Sequence, residues 1–347
     1  MKNNLTKIAT ALVAAGKGIL AADESTGTIE NRFKNIGVEG TVENRRAYRE
    51  LLFTAPDLGH YISGVILYDE TLRQKAVDGT PFPELLKTLD IIPGIKVDAG
   101  AKALALHPGE KITEGLDGLR DRFAEYAKLG AQFSKWRAVL TIGDTIPSSF
   151  CLEANAHALA RFAALSQEAG LVPIVEPEVL MDGPHAIERC EEVTASALAM
   201  VFRALGDHGV QFEGMLLKPN MIVSGTECLT PAGSNEVAEV TLRCLKRFVP
   251  AAVPGIVFLS GGQSDVETTR NLNAMNRLGG APWELSFSFG RALQAPALAA
   301  WAGKSENGPV AQRALVHRAL CNHEARSGRC HESSEPTTAV PTRAEPA

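Results

Sequence analysis

Eight short apolar segments recur along the 347-residue chain at residues 18–23, 62–68, 91–98, 133–140, 172–180, 212–219, 255–261 and 284–290. Each is rich in Val, Ile, Leu or Phe and is bounded by turn-forming residues. Stretches with helical spacing lie between them, for example 115–129, 154–169, 187–205, 235–248 and 265–277. Ser264 and Asp265 read as the start of the last of these, with an oxygen-bearing cap followed by acid in the first turn. Strand and helix alternating eight times predict an α/β protein whose parallel strands close into a (β/α)8 barrel. An open doubly wound sheet would carry a glycine-rich GxGxxG turn after its first strand. Here that strand runs into Asp23-Glu24-Ser25-Thr26-Gly27. The repeat predicts a barrel over residues 1–305, one further helix over 306–325, and a mobile tail over 326–347 with little to bury.

Polar residues inside apolar strands are informative because burying them is costly without a partner or a use. Lys96, Lys135, Glu176, Lys218 and Ser260 are spaced by 39, 41, 42 and 42 residues, about one strand–helix unit apiece. Each stands near the C-terminal end of its segment, and Asp23 holds the same place on the first. Barrel enzymes carry their chemistry at that end. A buried ion pair would explain any one of them, but six in register point to a site. Side chains alternate along a strand, so Lys135 shares a face with Arg137, Glu176 with Glu178, and Lys96 with Asp98.

A lysine amine becomes a nucleophile only when its proton is removed, which burial and a neighbouring cation both favour. Lys218, in Met-Leu-Leu-Lys-Pro-Asn, lies on the most apolar strand, and Lys135 is the candidate second cation. Attack on a ketone would give an iminium ion able to take up the electrons of a breaking carbon–carbon bond. Glu176 is the candidate acid for dehydration, and Asp23 the residue at the hydroxyl beside that bond. Ser260-Gly261-Gly262 after the seventh strand and Ser288-Phe289-Gly290-Arg291 after the eighth predict a phosphate grip of close backbone N–H groups and a helix N-terminus.

The net charge of −5 argues against nucleic acid as the main partner. No apolar run is long enough to span a bilayer. The first residues lack the apolar core of a signal peptide, and the scattered cysteines suit a reducing, cytoplasmic setting. The histidines show no zinc spacing, so neither metal nor other cofactor is expected.

The chain resembles the class I fructose-bisphosphate aldolases in GKGILAADESTG (16–27), ENRR (43–46), GIKVD (94–98), EGLDGL (114–119), KWR (135–137), VPIVEPE (172–178), LLKPNM (216–221), FLSGGQS (258–264), SFSFGRALQ (286–294) and AWAGK (300–304). The resemblance implies a (β/α)8 barrel, usually tetrameric, that reversibly cleaves fructose 1,6-bisphosphate into dihydroxyacetone phosphate and glyceraldehyde 3-phosphate. It implies Lys218 as the Schiff-base lysine, Glu176 as acid and base, Lys135 as the adjacent cation, Asp23 at the cleaved bond and Glu178 as a supporting carboxylate. It also implies Ser260, Gly261, Gly262, Ser288, Gly290 and Arg291 as the grip on the ketone-half phosphate. Ser25, Thr28, Arg32, Lys96 and Arg137 would meet the rest of the substrate or its second phosphate.

The chain departs from the family pattern at several places. Asn31 stands where a lysine is common, Phe289 where a tyrosine is usual, Ala99 where the family has another lysine, and no tyrosine follows Tyr126. A looser hold on the second phosphate is therefore expected. A sedoheptulose bisphosphate aldolase and a non-catalytic sugar-phosphate-binding or scaffolding protein are the competing functions. Retention of Asp23, Lys135, Glu176 and Lys218 argues against the last.

Overall fold

The computed structural model describes residues 2–331. Ten strands occur in it: β1 (Gly18–Ala22), β2 (Ile62–Leu67), β3 (Ile92–Lys96), β4 (Ala101–Ala103), β5 (Lys111–Thr113), β6 (Phe133–Leu140), β7 (Val172–Val179), β8 (Leu216–Leu217), β9 (Gly255–Phe258) and β10 (Glu284–Phe289). Eight of them pair in parallel and close in the order β1-β10-β9-β8-β7-β6-β3-β2. All eight expected segments supply one barrel strand each. The expected helices also form, with the fifth running Asp265–Leu278 and Ser264 Oγ accepting from Glu267 N at its start. The antiparallel pair β4–β5 is an addition, set into the connection between β3 and β6.

One strand is shorter than its apolar segment. Residues Phe212–Gly214 form a 3-10 turn, and β8 is only two residues long. Pro219 has no N–H to continue the ladder, and the last link is Lys218 N donating to Val175 O at 2.8 Å. The nucleophile candidate is thus the final residue that its strand can pin to β7.

Two buried layers result from strand alternation. The inner layer contains Ile19, Ala21, Ile66, Phe133, Val172, Ile174, Leu216 and Val257. Helix Lys2–Leu12 closes it from below, with Leu5, Ala9, Leu12 and Val13 packed into the same cluster. The outer layer, between strands and surrounding helices, holds Trp136, Phe162, Phe258, Phe287 and Phe289 among others. Each large apolar side chain taken fully from water contributes about 1.5–3 kcal/mol. Gly64 and Gly255 leave the room this bottom plug needs: a Cβ on the first would lie 2.6 Å from Leu12 Cδ2, and on the second 2.6 Å from Val13 Cγ1.

The tail boundary needs correction. Helix Gly308–Ala325 forms as expected, but Arg326, placed by composition in the tail, is buried. Its guanidinium donates to the carbonyls of Val13, Ala14, Lys17 and Leu285 and pairs with Glu284. Ordered packing therefore extends past residue 325. Residues 332–347 of the expected tail lie outside the described residues. No described helix is long and apolar enough to cross a membrane.

Candidate active site

Inward-facing positions of β1, β6, β7 and β8 run from apolar to charged as they climb. Ile19 and Ala21 lead to Asp23, Phe133 to Lys135, Ile174 to Glu176, and Leu216 to Lys218. The parallel register brings these four upper residues together at the C-terminal mouth. Lys135 Nζ lies 2.7 Å from Asp23 Oδ2 and 2.8 Å from Glu176 Oε2. Lys218 Nζ lies 3.1 Å from Glu176 Oε1. The side chains of Lys135, Glu176 and Lys218 are each only 4% exposed, so these contacts act with little screening by water. The approach of Lys135 to Glu176 Oε2 is an ion pair without hydrogen-bond alignment, which leaves that oxygen able to accept from a ligand.

Burial by itself would raise Asp23 and Glu176. For both, the opposing attraction of Lys135 and then Lys218 is greater, and both carboxyls are held below the usual range. Burial likewise works against the charge of Lys135, but Asp23 and Glu176 outweigh it and raise its pKa. Among the described residues Lys135 is therefore a fixed cation gripped by two carboxylates, whereas Lys218 has one.

A second ring surrounds this core. Lys96 Nζ contacts Asp98 Oδ1 at 2.6 Å, and Asp98 Oδ2 accepts from Arg137 N at 3.2 Å. Arg137 pairs with Glu178. Of the three shared faces expected from strand alternation, that of Lys96 and Asp98 is a direct contact, while Lys135 and Arg137 on β6 each pair across to Glu176 and Glu178 on β7. Asp98 is a buried carboxylate to which the sequence alone assigned no role. Its signal was visible as a second acid two residues after Lys96.

The loops after β9 and β10 also meet. Arg291 Nη2 donates to Gly261 O at 2.9 Å. Ser260 is buried, and Ser288 Oγ, also buried, has no hydrogen-bond partner among the described residues. Gly290 directly precedes helix Arg291–Trp301. Gly261 has φ +55°, a conformation that favours glycine, and a Cβ at Gly262 would lie 2.7 Å from Met181 Sδ and displace that side chain. Among the described residues the N–H groups of Gly261 and Gly262 donate to no protein acceptor. Phe289 points away from Ser288, into the outer layer against Phe287, with ring centroids 5.4 Å apart. The hydroxyl it lacks therefore belongs to the layer behind the barrel and not to the mouth.

Ser25 Oγ, half-buried, and Thr28 Oγ1, exposed, sit 3.0 Å apart at the start of helix Thr26–Lys34, and among the described residues neither hydrogen-bonds to the charged core. Arg32, on the same helix, pairs with Glu24. Glu24 is buried and also holds Arg49 Nη2 at 2.6 Å and Gln294 Nε2 at 2.9 Å. The sequence alone assigns no role to Glu24, Arg49 or Gln294. The available signal was a second carboxylate next to Asp23 at an apolar strand end.

The chain is similar to known proteins in both sequence and fold. The family model described as "Fructose-bisphosphate aldolase class-I" matches residues 4–343. The probable fructose-bisphosphate aldolase class 1 of Xanthomonas axonopodis pv. citri is 57% identical over 326 residues, covering 94% of this chain and 98% of that protein. Fructose-bisphosphate aldolase B of Gallus gallus is 53% identical over 341 residues, covering 98% and 94%. The fructose-bisphosphate aldolase of Plasmodium falciparum, solved in complex with TRAP and a small-molecule inhibitor, superposes with a TM-score of 0.94 at 51% identity, covering 95% of each chain. The chain therefore belongs to the class I fructose-bisphosphate aldolases, the Schiff-base enzymes that cleave fructose 1,6-bisphosphate in glycolysis.

Proposed function

We propose that Lys218 is the Schiff-base nucleophile and that Glu176, Lys135 and Asp23 handle the protons around it, with Glu178 in support. The observation carrying this reading is the chain of short contacts Lys218–Glu176–Lys135–Asp23. Lys135, held charged by two carboxylates, is a poor nucleophile. Among the described residues Lys218 has a single carboxylate within reach, and passing its proton to Glu176 produces an amine and a carboxylic acid together.

The amine adds to the C2 ketone of the sugar, and Glu176 protonates the departing hydroxyl as water to leave an iminium ion. Asp23 accepts the hydrogen bond of the C4 hydroxyl and takes its proton as the C3–C4 bond breaks. The bond electrons move into the iminium, giving an enamine, and glyceraldehyde 3-phosphate leaves. C3 takes up a proton from water while Asp23 releases the one it gained, and hydrolysis of the iminium then returns the amine of Lys218 and releases dihydroxyacetone phosphate. Lys135 stays charged throughout and keeps both carboxylates in place.

Ser260, Gly261, Gly262, Ser288, Gly290 and Arg291 hold the phosphate of the ketone half. Free N–H groups in a glycine turn beside a helix N-terminus support that assignment. The second phosphate falls to Lys96, Arg137, Ser25, Thr28 and Arg32. We further read the protein as cytoplasmic and as a homotetramer; light scattering of the purified chain should give the mass of four copies.

Borohydride reduction in the presence of dihydroxyacetone phosphate, followed by peptide mapping, tests the nucleophile. The expected result is a mass increase on the peptide carrying Lys218. An unmodified Lys218 peptide, or the adduct on Lys135, overturns the assignment.

A further inference from the structure

Glu24 is an ionised carboxylate buried one residue after Asp23, on the opposite side of the strand end, and has no part in the proton transfers around Lys218. Burial alone would raise its pKa, but Arg49 and then Arg32 outweigh that and hold it charged. Its two oxygens are unequally committed. Oε2 takes Arg49 Nη2 at 2.6 Å, and Arg49 is itself buried. Oε1 takes Arg32 Nη1 and Gln294 Nε2, the latter at 2.9 Å. Gln294 also donates to Ala21 O at 2.7 Å, and its backbone N–H bonds Gly290 O at 3.0 Å. One carboxylate thus ties the end of β1, the phosphate helix after β10 and the guanidinium of Arg32 into a single rigid node.

Arg32 is held by one arm. Nη1 is fixed to Glu24, the side chain is 23% exposed, and no other guanidinium N–H of Arg32 meets a protein acceptor among the described residues. A guanidinium presents N–H groups along more than one edge in a fixed plane. With Nη1 docked on a buried anion, one end of the guanidinium is anchored, and the side chain keeps 23% exposure for a further contact. Arg49 and Gln294 keep Glu24 in place, so the docking does not depend on the substrate.

We infer that Glu24 is a specificity-determining positioning residue: it orients Arg32 so that the free edge of its guanidinium meets the second phosphate, setting the preference for bisphosphate over monophosphate ketoses. This rests on the reading of Arg32 as a contact of that phosphate. Asn31, exposed beside it, carries no charge to substitute for a misplaced Arg32. The hold on the far phosphate then depends on how well one guanidinium is aimed.

Steady-state cleavage of fructose 1,6-bisphosphate and fructose 1-phosphate by Arg32→Ala, Arg32→Lys and Glu24→Gln separates the possibilities. The readout is the ratio of KM for the bisphosphate to KM for the monophosphate, which a loss of folded protein does not move. Arg32→Ala should raise it about tenfold or more, the scale of one charge-assisted contact. Arg32→Lys should raise it almost as far, because an ammonium keeps the charge but cannot bridge Glu24 and a phosphate. Glu24→Gln should raise it by about three- to tenfold with Arg32 intact.

An unmoved ratio in Arg32→Ala overturns the reading of Arg32 itself. A raised ratio in Arg32→Ala with an unmoved one in Glu24→Gln leaves that reading standing and overturns the role of Glu24. If Glu24→Gln does not fold, Arg32→Lys decides: a wild-type ratio there means that charge suffices, and the orienting role fails.

Discussion

Lys135 is the residue on which the charge balance of the mouth turns. It faces Asp23 at 2.7 Å and Glu176 at 2.8 Å from a fully enclosed position. Removing one member of a buried ion pair leaves the others uncompensated, at a cost of about 3–5 kcal/mol. Asp23 and Glu176 both have pKa values below the ordinary range, so their ionised forms stabilise the fold at neutral pH. That contribution is lost as pH falls below about 4, through the depressed values. Lys135→Met reverses the sign, because two buried carboxylates without their cation have raised pKa values and are relieved by protonation. The melting-temperature gap between wild type and Lys135→Met should therefore be widest near pH 7 and narrow toward pH 4. A gap independent of pH would show that Lys135 does not set these carboxylates. Cleavage by the same variant should fall by about 10²-fold or more.

Among elements, the N-terminal helix Lys2–Leu12 carries weight that its sequence does not advertise. Its inner residues close the barrel floor against Ile19, Phe133 and Val172, at the end of the strands opposite Asp23, Lys135 and Glu176. Leu12→Ala opens a cavity beneath Gly64 and should cost about 2–5 kcal/mol in stability. KM should stay within about twofold of wild type, since a large-to-small change acts mainly on neighbours in contact. Thermal melting alongside fructose 1,6-bisphosphate kinetics checks both halves. The shortest barrel strand, β8, carries the opposite lesson. Two residues suffice there because Lys218 N–H and its neighbours are pinned by β7 on one side and β9 on the other. The apolar run predicts a strand, but only the ladder fixes where it stops.

At the scale of the whole molecule, chain ends far apart in sequence are sewn together. Arg326 reaches the carbonyls of Val13, Ala14 and Lys17, which follow the floor helix, and also Leu285 and Glu284 at the foot of β10. Several buried carbonyls lose their donor in Arg326→Ala. We expect a loss of about 3 kcal/mol, or about 4 °C in melting temperature for a chain of this length. An unchanged melting curve would mean that water replaces the guanidinium freely. Composition places this arginine in a loose tail, because a window of Ser, Glu, Pro, Thr and Ala offers almost nothing to bury. What holds Arg326 is a set of backbone carbonyls some three hundred residues away, which composition does not register.

The order of strands and helices, the closed barrel and the register of strand-end polar residues were legible in the chain, because alternation and repeat length are local properties. So were the shared faces of Lys96 with Asp98, Lys135 with Arg137, and Glu176 with Glu178. Which charge pairs with which was not legible. Lys135, between Asp23 and Glu176, and Arg32, docked on Glu24, are outcomes of barrel closure, which brings β1 beside β10 and spaces β6, β7 and β8 around one axis. The floor helix and the Arg326 clasp were likewise decided in three dimensions. Periodicity tells a segment which face to bury, but ion pairs and clasps depend on distances between segments, and only the tertiary structure sets those.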